Sequence, residues 1–142
     1  MSKLFISHSF QDDAFVRDLR AALAYHGHEA WIAPRELQGG DLLWPGIQKA
    51  IDETSAFVMV VSPAALQSTW VGKELRYALD VQKQRGKDNF PVTPLSLNGT
   101  KLGLLDEFFS EQPVYINVSS RAGGIEAAMI AILVAIGEPA TG

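Results

Sequence analysis

The chain contains no cysteine. Disulfide staples and thiolate metal sites are thereby excluded, and the composition fits a reducing compartment. Histidine is scarce as well: His8, His26 and His28 are the whole supply, which argues against a metal centre. Long apolar runs are missing. The longest, AFVMVV, falls far short of the roughly 20 residues that a membrane-spanning helix needs. The opening residues, MSKLFISHSF, lack the extended apolar stretch of a signal peptide. Positive charge is not in excess either: the formal net charge is −4, and the scattered Lys and Arg leave no electrostatic footprint for direct binding to nucleic acid or an acidic membrane. What is present is 47% hydrophobic and 20% charged residues in a chain of 142. That is enough for one folded domain with its own core, and cytoplasmic residence is the expectation.

Periodicity then divides the chain into alternating elements. KLFIS reads as a buried strand. SFQD follows with Ser9 as N-cap and Asp12 three residues on, a capping-box pattern. Phe15, Val16, Leu19, Ala22 and Leu23 carry helical spacing up to Gly27, a natural stop. EAWIA is a second strand and PRELQGGD a polar loop; Leu43, Ile47, Ala50 and Ile51 mark a second helix. AFVMVVS, apolar throughout, has the look of a central parallel strand covered on both faces. FPVTPLSL is a fourth strand whose two prolines make it irregular or closer to an edge. PVYINV is a fifth, TKLGLLDEFFSEQ a loop with a helical turn or two, and Ile125, Met129, Ile132, Leu133 and Ile136 form a last helix.

Strand and helix alternating in this way predict an α/β fold: a flavodoxin-like three-layer sandwich. Its five-stranded parallel sheet has the order 2-1-3-4-5, with helices on both faces. Ligands bind such sheets at the carboxyl ends of the strands where the winding reverses, here Ser7-His8-Ser9 and Val61-Ser62-Pro63. The helix after the third strand carries an apolar set, Val71, Leu75, Ala78 and Leu79, and a solvent set, Lys73, Arg76, Asp80 and Lys83. Trp70, Glu74 and Tyr77 fall on the boundary between them, so Glu74 is expected to be partly desolvated beside an aromatic ring. Glu74 is also the one acid in this crevice expected on a regular helix.

The same segments resemble a bacterial Toll/interleukin-1 receptor (TIR) domain of the NAD-cleaving type. KLFISHSFQDDAFVRDL resembles the family's first box, and APRELQGGDLLWPGIQKAI the second box with its loop. FVMVVSPAALQSTWVGKEL carries the Ser-Pro and the W-x-x-x-E spacing, and DEFF stands where the third box would be. The resemblance runs from about Lys3 to Ile136. It implies a TIR domain over residues 1–138, with 139–142 opening a linker to a fused sensor domain or partner subunit. It also implies scission of the bond between nicotinamide and ribose, giving nicotinamide plus ADP-ribose or a cyclic isomer, as the effector of an anti-phage immune system. Glu74 takes the catalytic role, where an anion can stabilise an oxocarbenium-like ribose. Trp70, His8, Ser9, Phe10, Leu42, Trp44 and Ser62 fall to substrate binding. No cofactor is needed, NAD+ being the substrate. Leu42, Leu43 and Trp44, read as an apolar tip beside a Gly-Gly hinge, would dock on other TIR domains in head-to-tail assembly.

Competing readings attach to the same residues. His8 at a strand end fits a hydrogen-bonded structural histidine, and Ser62 an N-cap with Pro63 at N1. QGGD lacks the lysine of a phosphate loop. A receiver domain would need an acidic cluster after the first strand and an aspartate ending the third. A nucleoside deoxyribosyltransferase is a further enzymatic alternative, and a TIR adaptor without catalysis the principal non-enzymatic one.

Overall fold

The computed structural model describes residues 3–32, 40–101, 116–118 and 124–137, with backbone alone at 40–43 and 116–117. Five parallel strands, β1 (Lys3–Ser7), β2 (Glu29–Ile32), β3 (Ala56–Val61), β4 (Val92–Leu97) and β5 (Ile116–Val118), form one sheet in the order β2-β1-β3-β4-β5. The helices are α1 (Asp13–Tyr25), α2 (Gly40–Asp52), α3 (Pro63–Leu66), α4 (Thr69–Arg85) and α5 (Gly124–Ala135), and a 3-10 turn at Phe10–Asp12 leads into α1. The parallel α/β sandwich is the architecture that the alternating pattern predicts.

Side chains alternate across a strand, and this parity sorts the core into two layers. Leu4 and Ile6 of β1 join Ala56, Val58 and Val60 of β3 on the face covered by α1 and α5. Phe5, Phe57, Met59 and Val61 point the other way, under α2 and α4. Register places Phe5 opposite both Trp31 and Phe57, so their rings form a cross-strand row, with centroids 5.1 and 5.4 Å from Phe5. All six residues of β3 are buried, as its uninterrupted apolar run requires.

Helix α1 stops where expected, in a Schellman arrangement: His28 N–H donates to Leu23 O at 2.9 Å and Gly27 N–H to Ala24 O at 3.0 Å. Gly27 has φ +84°, a conformation that costs glycine least. The capping box does not form. Ser9 caps the 3-10 turn by accepting from Gln11 N–H at 3.3 Å, while the Asp12 carboxylate turns away to Ser62.

Strand β4 lies inside the sheet between β3 and β5, the place that the expected strand order gives it, and Pro94 is accommodated there. Phe57 N–H donates to Pro91 O, so residues 91, 93 and 95 face β3 and Pro94 faces the other way. On that side pairing with β5 begins at Leu95. The missing donor of Pro94 therefore costs the ladder nothing among the described residues. Residues 102–115, which include DEFF and the start of the predicted PVYINV strand, and most of the PRELQGGD loop lie outside the described residues.

Candidate functional site

The last turn of β1 determines what its polar residues can reach. Ser7 shares parity with Phe5 and points to the α2/α4 face; His8 shares parity with Leu4 and Ile6 and points toward α1. Each finds a carboxylate there. The Ser7 hydroxyl donates to Glu74 Oε1 at 2.6 Å, and His8 Nε2 pairs with Asp13 Oδ1 at 2.6 Å. Ser62, in step with Val58 and Val60, likewise turns toward α1. Its hydroxyl donates to Asp12 Oδ2 at 2.5 Å and accepts from Ala65 N–H at 3.1 Å, capping α3 with Pro63 in its first turn. Three hydroxyl or imidazole groups at the ends of β1 and β3 thus gather three acids. Glu74 is not the single acid here on a regular helix, since Asp13 opens α1.

Helix α4 starts at a Ser68 cap, whose Oγ accepts from Val71 N–H at 3.3 Å. Its buried residues are Val71, Glu74, Leu75, Ala78 and Val81. Glu74 thus lies within the buried arc and is 0% exposed, whereas Leu79 is only half-buried. The boundary position read from the helical wheel is corrected, and the reason is a second partner. A wheel compares one helix with one covering surface, but α4 packs on β1, β3 and β4 and also along α2. Trp44 of α2 lies 6.1 Å from the Trp70 ring and 6.0 Å from the Tyr77 ring, covering the flank beside Glu74. Lys73 Nζ sits over both indoles, 4.6 Å from Trp44 and 5.2 Å from Trp70. Trp44 is therefore half-buried within a helix rather than displayed at a loop tip.

The α2–α4 contact is also clasped by polar groups. Tyr77 Oη donates to Asp52 Oδ1 at 2.8 Å. Arg85 donates to Thr54 O at 2.9 Å and also to Asp52 O, holding the carboxyl end of α2. Burial, followed by the hydrogen bond to the Asp52 carboxylate, pushes the Tyr77 phenol up from 10.0 to about 12. A raised folded-state value means stability that is fully present below pH 10 and lost as pH climbs toward 12. Urea midpoints measured across that window are expected to fall more steeply in the parent than in Tyr77→Phe. Equal slopes would show that the clasp contributes nothing.

Of the residues expected at the site, Glu74, His8, Ser9 and Ser62 are buried at the strand ends, and Trp44 and Trp70 are half-buried beside them. Phe10 is 62% exposed and stands outside both core layers. Leu42 lies on the backbone of α2, with its side chain outside the described residues. Reading the sequence had missed Ser7, Asp12 and Asp13 as polar partners. Strand parity is the signal that assigns Ser7 and His8 to opposite faces. Among the described residues, no group of three or more His, Asp or Glu side chains could hold a metal ion.

An ionised carboxylate taken wholly out of water costs several kcal/mol unless hydrogen bonds replace the solvent. The carboxyl group of Glu74 is so placed, at the carboxyl end of the sheet with the Ser7 hydroxyl bonded to it. A family model described as a TIR domain matches residues 4–133. The chain belongs to the TIR family. Among curated proteins, this TIR domain is 36% identical over 72 residues to the 2' cyclic ADP-D-ribose synthase BtTIR of Bacteroides thetaiotaomicron; the match covers 50% of this chain and 25% of the relative. Among solved structures it resembles the TIR domains of the activated Roq1 resistosome directly recognizing the pathogen effector XopQ. That likeness has a TM-score of 0.57 at 27% identity, over 69% of this chain and 58% of the other. The TIR domain thus spans only part of the length of each. No helix among its described residues is long and apolar enough to cross a membrane.

Proposed function

We propose that this TIR domain cleaves NAD+ between nicotinamide and ribose, with Glu74 as the catalytic carboxylate. The observation that carries the reading is the place of Glu74: its carboxylate meets Ser7 at the carboxyl end of β1, where the strand order of the sheet reverses. In the proposed reaction the ribose C1–N bond breaks and its electron pair leaves with nicotinamide, which departs neutral and needs no general acid. The cationic sugar left behind is stabilised by the anion of Glu74 in a site of low dielectric. Capture by water gives ADP-ribose; capture by a hydroxyl of the same molecule gives a cyclic isomer. The relative named as a 2' cyclic ADP-D-ribose synthase supports the second outcome. Trp70, one helical turn before Glu74, would wall the pocket, with NAD+ as substrate and no further cofactor.

Regulation by assembly belongs to the same reading. The likeness to TIR domains of an activated resistosome supports self-association, and the proposed setting is a bacterial immune effector switched on by head-to-tail contact. One observation favours a second reading, a non-catalytic TIR–TIR module: Glu74 is sealed from solvent. The test is to incubate concentrated protein with NAD+ and resolve nicotinamide, ADP-ribose and cyclic isomers. Nicotinamide release that disappears in Glu74→Gln supports the enzyme. No release from the parent at any concentration supports the adaptor.

A further inference from the structure

We propose that Ser7 is a positioning residue for Glu74, a proposal that rests on the NAD+-cleaving reading above. Ser7 and Glu74 are both 0% exposed, and their 2.6 Å hydrogen bond joins residues 67 apart in the chain. It ties a helix to a strand and is not a local cap. The donor comes from the better anchored side. Strand β1 is paired to β2 on one edge and to β3 on the other, with Ser7 itself in register with Met59. The acceptor stands on α4 at the end of a side chain with three rotatable bonds, so the orientation of its carboxylate depends on the groups that hold it.

One consequence follows from the chemistry of that bond. A short O–H···O⁻ contact in a dry surrounding is of the strong class, so it fixes which way the carboxylate plane turns. Misplacement of a reacting group by about 1 Å costs on the order of 10²-fold in rate. Ser7 thereby acts through Glu74, and its loss should appear in kcat rather than in KM.

The test compares parent, Ser7→Ala, Ser7→Cys, Glu74→Gln and the double variant, using NAD+ as substrate. Ser7→Ala is expected to lower kcat by roughly 10- to 100-fold with KM little changed. Ser7→Cys, close in size with a weaker donor, is expected to fall between. It serves in place of Ser7→Ala should that variant not fold. In the Glu74→Gln background, Ser7→Ala is expected to cause no further loss, because the group it positions is gone. Parent-like kcat in Ser7→Ala, or in Ser7→Cys if it stands alone, overturns the positioning role. So does a further large loss in the double variant. With Glu74→Gln silent, any of these leaves the NAD+ reaction standing. A Glu74→Gln protein that turns over like the parent, or a parent with no turnover, overturns the functional reading and the Ser7 role with it.

Discussion

Glu74→Gln is expected to lower NAD+ turnover by about 10²–10³-fold, the usual loss when one preorganised electrostatic partner of a transition state is removed. Gln is the informative replacement because it keeps the shape of the side chain. Its amide oxygen can still accept from Ser7, so the packing among Val71, Leu75 and Ala78 is left intact. Only the charge is lost. That charge is what the fold has to accommodate at 0% exposure, so thermal stability is not expected to fall and should rise if desolvation outweighs the Ser7 bond. Activity and stability moving in opposite directions would mark Glu74 as kept for chemistry. A purely structural glutamate predicts the reverse: turnover retained in the purified variant and a lower melting temperature. Measuring both on one preparation separates the two, and parent-like turnover would refute the catalytic assignment.

How far the sequence reveals this arrangement depends on how many partners an element has. Strand β3 is legible because its neighbours are strands and helices on every side, which demands an unbroken apolar run. The stop at Gly27 is legible because one residue type tolerates its positive φ. The meeting of the polar strand ends is legible because a parallel sheet of this order gathers the ends of β1 and β3. The full burial of Glu74 is only partly legible. The wheel placed it at a boundary, and only the packing of Trp44 against Trp70 and Tyr77 moves that boundary past it. Trp44 itself was misplaced because a Gly-Gly pair reads as a hinge, yet α2 begins at Gly40 and takes Trp44 into its second turn. Ser7 needed a different rule from the one applied. Periodicity identified the strand, but its parity had to be carried to the final residue to show which face the hydroxyl joins.

The second large effect concerns concentration. A carboxylate at 0% exposure cannot touch a ribose until its cover moves, and that cover includes the flank where Trp44 packs on Trp70. If the isolated domain is open only about 1% of the time, a contact that makes the open state dominant raises specific activity up to roughly 100-fold. Head-to-tail contact between copies would supply that bias and, being heterologous, would build open strands rather than closed pairs. Specific activity of the parent is therefore expected to climb with protein concentration, together with a shift to larger species in light scattering. Leu42→Asp is the better probe of the contact. Trp44→Asp would break the Trp44–Trp70 packing as well and so mix two effects. In Leu42→Asp the climb should vanish, with the melting temperature of the dilute domain as the control for its fold. If specific activity is flat over about a hundredfold range of concentration in both proteins, assembly does not uncover Glu74. The opening would then have to come from the substrate itself, visible as a lag or saturation step that depends on NAD+ and not on protein.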